Sequence, residues 1–170
     1  FWGERGGFKT TIVNTEKIGQ VHFLFNGTAE KLTSFFNQIK PNFFSDTAEI
    51  TNNMQKRGGG IVNIELKNKT NEIENYYQLH ATFNTKDSMG ANFINTCLEQ
   101  FAKTLETQAA DYEGFSNEEK NLQIIMSILS NYVPNCLVRA EVSCPVDQLS
   151  EDKNIDTQEF ARKFATAVKI

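Results

Sequence analysis

The chain has 170 residues, 39% of them hydrophobic, and a net charge of −4. That is enough for a compact domain with a real core, without the positive field that nucleic acid or anionic lipid would ask for. No apolar run approaches the ~20 residues of a membrane span, and no signal peptide is visible. The three cysteines, Cys97, Cys136 and Cys144, are odd in number and lack metal-like spacing. The expectation is a reduced, cytoplasmic protein with no metal site and a buried thiol at Cys97.

In chain order, the sequence begins Phe1-Trp2-Gly3-Glu4 without an initiator methionine, and Gly6-Gly7-Phe8 reads as a hinge or turn. Lys9 to Val13 suggests one strand and Gln20 to Asn26 a clearer one, with Val21, Phe23 and Phe25 on one face. His22, on the other face, has no ligand type spaced to help it and reads as an ordinary strand residue. Asn26-Gly27-Thr28 is a turn before a helix carrying Leu32, Phe35, Phe36 and Ile39, which Pro41 should stop. A weaker helical pattern covers Asn42 to Gln55. Gly58-Gly59-Gly60 then reads either as a flexible turn or as backbone passing close to another element or a cofactor. Val62, Ile64 and Leu66, alternating with Asn63 and Glu65, mark one face of a strand, and polar Asn68 to Asn75 a hairpin loop leading to a strand with Tyr77, Leu79, Ala81 and Phe83 on one face.

The hydrophobic period then changes from 2 to 3.6 across Asp87-Ser88-Met89-Gly90-Ala91-Asn92, because Phe93, Ile94, Cys97, Leu98, Phe101, Ala102 and Leu105 recur at helical spacing. Asp87 has the chemistry of an N-cap, and Gly90 leaves no side chain in the way of an approaching group. An unobstructed helix N-terminus suits an anion such as a pyrophosphate. Polar Glu106 to Lys120 should be a mobile surface insertion. The near-continuous apolar run from Leu122 to Leu129 should be a strand buried on both faces. Glu141 to Ser150 is irregular. Asp156-Thr157-Gln158-Glu159 has capping-box spacing before a helix with Phe160, Phe164 and Val168, whose pattern runs uncapped to Ile170. Both ends look severed, so a piece of a longer protein is expected.

The element order strand, helix, strand, strand, helix, strand predicts an α+β fold. It is the ferredoxin-like βαββαβ arrangement, a mostly antiparallel four-stranded sheet with helices on one face. No G-x-G-x-x-G suggests a Rossmann domain. Such a sheet also serves RNA-binding modules, which need stacking aromatics and a basic surface, and metabolite-binding regulatory domains.

The central hexapeptide, followed by Asn95-Thr96, resembles the Asp-Ala-Met-Gly-Ala-Asn-x-x-Asn-Thr signature of class II 3-hydroxy-3-methylglutaryl-coenzyme A reductases, with Ser88 in place of alanine. Gly6-Gly7-Phe8, the triple glycine before a strand, Ile128-Leu129-Ser130-Asn131 and Leu137-Val138-Arg139-Ala140 resemble further segments of that family in the same order. The resemblance implies a small NAD- or NADP-binding domain over 9–150. Residues 1–8 would be the connection to a missing large domain, and 151–170 the start of a helix returning to it. It implies cofactor contacts from Asp87, Ser88, Met89, Gly90, Ala91, Asn92 and Asn131. It also places Asn26 near the adenosine ribose, where an acidic residue can favour NAD. Asn26 is not acidic and Lys31 follows it, so NAD and NADP stay open. For the full-length enzyme the resemblance implies two hydride transfers linking hydroxymethylglutaryl-CoA and mevalonate, CoA release, and a homodimer or larger assembly. The family's catalytic glutamate, lysine, aspartate and histidine match nothing in these 170 residues, so the isolated piece is expected to be inactive.

Overall fold

The computed structural model describes residues 1–170 and divides into two compact units. One is Asn14–Cys136; the other joins Phe1–Val13 with Leu137–Ile170. Strand β1 (Lys9–Leu24) runs unbroken where the sequence suggested two strands. After it come α1 (Ala29–Asp46), α2 (Ala48–Lys56), β2 (Gly60–Asn68), β3 (Tyr76–Asn84), α3 (Ala91–Asp111) and β4 (Gln123–Leu129). The larger unit is therefore a mixed helix-and-sheet body. Its strands lie in the order β2-β3-β1-β4, each antiparallel to its neighbour.

One face of this sheet is the core. Val21, Phe23, Tyr77, Leu79, Ala81 and Phe83 cluster there with Leu32, Phe35 and Ile39 of α1 and Ile94, Leu98, Phe101 and Leu105 of α3. Gly19 lets α3 approach closely, since a Cβ there would lie 2.7 Å from Leu98 Cδ1 and 2.9 Å from Ile94 Cγ2. Between the core residues of the two central strands stand Gln20, His22, Gln78 and His80. His22 Nδ1 lies 2.6 Å from Tyr76 Oη, and burial lowers the imidazole's pKa.

Four expectations are corrected. Pro41 does not stop α1, which runs on to Asp46. Phe43, two residues beyond it, is fully buried, with its ring 5.4 Å from that of Phe101. Burying such a ring contributes ~2 kcal/mol, which helps offset the cost of a proline inside a helix. Val62 does not share the inward face with Ile64: the register skips it between Ile61 and Asn63, and this bulge leaves it 57% exposed. The stretch from Glu106 to Lys120 is not a surface insertion. Helix α3 continues to Asp111, and the Phe115 ring then packs 4.9 Å from Phe25 and 4.7 Å from Phe35. Finally, β4 is not buried on both faces. It is the edge strand of this unit, and Ile125, Met126 and Ile128 are each about half exposed.

Glu119 anchors the same returning segment. Its side chain, 9% exposed, accepts two 2.9 Å bonds from Lys31 Nζ and one of 2.8 Å from the Ser116 amide. The Lys31 bond, with the Ser116 amide behind it, holds the carboxyl below its ordinary 4.5. A depressed folded pKa means the contribution is present above about 4.5 and lost as pH falls through the folded value. Glu119→Gln is therefore expected to lower Tm at pH 7 and to flatten the fall of Tm below pH 4.5, measured by thermal melts across pH 3–7.

In the smaller unit, β5 (Cys136–Glu141) pairs with β1, whose first residues belong there. Arg5 ties that unit together through Gln148 O at 2.8 Å and Glu151 Oε1 at 3.0 Å. Helix α4 (Thr157–Ala167) starts as expected, with Asp156 Oδ1 accepting from the Gln158 and Glu159 amides at 3.0 Å. No helix is long and apolar enough to cross a membrane.

Candidate functional site

Strand register decides which of the expected contact residues can meet. Along β1, Glu16 lies opposite Asn84 and Gly19 opposite Leu129, whereas Leu24 lies opposite Tyr76. The 85–90 loop that follows β3 and the segment that follows β4 therefore share one end of the sheet. That end gathers Asp87, Ser88, Met89, Gly90, Ala91, Asn92 and Asn131. A bond from Leu129 N to Asn95 Oδ1, 2.9 Å, ties the end of β4 to the first turns of α3.

Asn26 does not join them. It follows Leu24, eight residues along β1 from Glu16, and at the usual rise per residue the two ends are ~26 Å apart. An adenosine ribose is bonded directly to the pyrophosphate, so it cannot reach Asn26 from the 87–92 loop. Asn26 Oδ1 instead accepts from Asn75 Nδ2 at 3.1 Å, and Lys31 is committed to Glu119.

The loop's geometry also differs from expectation in who caps the helix. The N-cap is Gly90, in the left-handed region at φ 76°, with no side chain bonded to the first-turn amides. Asp87 bonds Arg57 Nη2 instead, at 2.5 Å, and that guanidinium lowers its carboxyl pKa. The helix end is consequently uncapped by any side chain, and Met89 beside it is 74% exposed. Free first-turn amides on a 21-residue helix form a positive end suited to an anion.

What keeps the loop in shape lies beneath it. Ser88 N and Ser88 Oγ both donate to Thr85 O, at 3.1 and 2.7 Å, while Thr85 Oγ1 donates to Ser88 O at 2.8 Å. The hydroxyl of Ser88, absent from an alanine, thus has a use. Thr85 is fully buried, and a Cβ on Gly90 would fall 2.3 Å from Thr85 Cγ2. Gly59 likewise passes close to β3, with Asn84 O 2.4 Å from where its Cβ would be. The triple glycine therefore marks backbone packed against another element. Thr85, Arg57 and Lys17, which bonds this loop from below, were not singled out for the loop from the sequence, because only the tertiary fold joins them to it. Cys97 is buried, as expected, and burial pushes its thiol up to about 12. No three His, Cys, Asp or Glu side chains gather as a metal ion would need.

A mixed α/β unit with a mostly antiparallel sheet and an open helix end over a glycine turn narrows the field, and comparison with known proteins names the group. The family model described as hydroxymethylglutaryl-coenzyme A reductase matches residues 1–170, and the chain belongs to that family. It is 25% identical over 166 residues to the 3-hydroxy-3-methylglutaryl-coenzyme A reductase of Archaeoglobus fulgidus, covering 96% of this chain and 35% of that protein. The class II enzyme from Streptococcus pneumoniae, solved bound to NADPH in open conformations, superposes with a TM-score of 0.72 at 26% identity, over 99% of this chain and 42% of that one. A second structure of the Streptococcus pneumoniae enzyme gives 0.73 at 26% identity, over 97% and 41%. The chain thus spans well under half the length of these relatives.

Proposed function

We propose that residues 14–136 form the nicotinamide-dinucleotide-binding domain of a hydroxymethylglutaryl-CoA reductase, with a ferredoxin-like βαββαβ topology. The strand order β2-β3-β1-β4 with antiparallel neighbours supports that topology. The observation that carries the reading is the N-terminus of α3, which starts at Gly90 in the left-handed region and has no side chain bonded to its first-turn amides. In this reading, the backbone of Met89, Gly90 and Ala91 receives the pyrophosphate of NAD or NADP. Ser88 and Asp87 hold the loop, and Asn92 and Asn131 supply polar contacts beside it. Arg57 offsets the negative charge that Asp87 would otherwise present to a phosphate. A bound nicotinamide would supply hydride in the reducing direction and accept it in the oxidising one, as the full-length enzyme interconverts hydroxymethylglutaryl-CoA and mevalonate. This chain's part is to bind and orient. The groups that handle the thioester, its oxyanion and the CoA thiolate belong to a large domain outside it. The terminal unit belongs with that domain, a reading supported by Phe160 and Phe164 on α4 and Val168 just after it, all exposed.

Titrating the 170-residue chain with NADH and NADPH while following backbone amide shifts tests the placement. The amides of Ser88 to Asn92 and of Asn131 are expected to move. Shifts confined to the Asn26 end of the sheet, or absent at the 87–92 loop, would overturn it.

A further inference from the structure

Lys17 stands where the pattern of its own strand asks for an apolar residue. Gly19, Val21 and Phe23, at the following alternate positions of β1, all face the core, and Lys17 lies opposite Phe83, itself a core residue. A lysine there is disfavoured unless its ammonium is fully engaged. Its Nζ donates to Thr85 Oγ1 at 2.7 Å and to Ser88 O at 2.8 Å. Charge-assisted bonds of this kind are stronger and more directional than neutral ones. They join residues 68 and 71 positions apart, from the core's edge to the underside of the 85–90 loop.

We propose that Lys17 is a positioning residue for dinucleotide binding, holding the Ser88 carbonyl inward so that the amides after it face outward at the start of α3. This rests on the reading that the 87–92 loop receives the pyrophosphate. The loop's own Thr85–Ser88 bonds close a turn but do not fix it to the sheet. The two bonds from Lys17 do, and they also place a positive charge behind an anion site. A residue that breaks the local apolar pattern and is repaid only at the loop is the kind of local conflict that marks function.

The test compares wild type with Lys17→Met, which keeps the stem and removes the donors, and with Lys17→Arg, which keeps the charge. Lys17→Gln, a donor without the charge, is measured alongside to keep the comparison should Lys17→Met fail to fold. Two quantities are followed: the dissociation constant for NADPH, and the amide hydrogen-exchange rates of Ser88 to Ala91. Lys17→Met, or Lys17→Gln in its stead, is expected to weaken NADPH binding about tenfold and to speed exchange in the loop. Lys17→Arg should restore most of both. If wild type binds NADPH and the neutral variants bind it equally well, or if Lys17→Arg is no better than they are, this proposal is overturned while the reading of the site stands. If wild type itself does not bind NADPH, the reading of the site falls and the proposal falls with it.

Discussion

Gly90→Val is expected to damage both stability and dinucleotide binding, more than any other single change in the loop. At φ 76° a β-branched side chain is strained whatever the space. Here there is no space: the added Cβ would meet Thr85 Cγ2 at 2.3 Å and Thr85 Cβ at 2.7 Å. Thr85 cannot swing into solvent, because it is fully buried and its hydroxyl is bonded to Lys17 and Ser88. Strain and overpacking together should cost ~2–4 kcal/mol, read as a lower urea midpoint at unchanged slope. NADPH affinity should fall by at least about tenfold, since the displaced Thr85 carries Ser88 and the first helical amides with it. Met89→Ala, at an exposed position one residue away, should leave the urea midpoint near wild type. A Gly90→Val protein with wild-type midpoint and affinity would contradict this account of the turn.

Phe101→Ala should be the most destabilising truncation in the core. The Phe101 ring is fully buried, 5.4 Å from Phe43 and 6.4 Å from Phe83, so it joins α1, α3 and β3 at one point. Truncating a buried phenylalanine costs ~3–5 kcal/mol, a large share of the ~5–15 kcal/mol that stabilises a typical domain. Urea denaturation gives the number. A loss below ~1 kcal/mol would mean that the three elements do not depend on one another as described.

Much of the fold was legible in the sequence because it is written in local periods. The alternation at Tyr77, Leu79, Ala81 and Phe83 and the helical spacing from Ile94 to Leu105 located β3, α3 and the loop between them. Where local rules met a tertiary demand, the demand prevailed. Pro41 ought to end a helix, yet the buried ring of Phe43 draws the helix past it. Tyr112 and Phe115 were visible as aromatic residues in a polar stretch. What they pack on, Phe35 and, for Phe115, also Phe25, lies some eighty to ninety residues earlier, and no local pattern reports that. The bulge at Val62 shifts a whole strand's phase without changing its composition.

The candidate site divided along the same line. The loop from Asp87 to Asn92 was found because glycine and the change of period mark it. Its supports, Lys17, Thr85 and Arg57, were not singled out, because each acts across a distance in sequence that only strand pairing closes. Asn26 was grouped with the loop by resemblance. Strand direction separates them: β1 and β3 run antiparallel, so turns that follow their C-terminal ends emerge on opposite sides of the sheet.

That separation has a practical consequence. The Lys31–Glu119 pair and the Phe25–Phe35–Phe115 cluster occupy one pole of the larger unit, and the glycine turn with its lysine occupies the other. Residues so far apart, sharing no neighbour, contribute to free energy independently. Improvements engineered at the first pole can therefore be combined with altered recognition at the second, each retaining the effect it has alone.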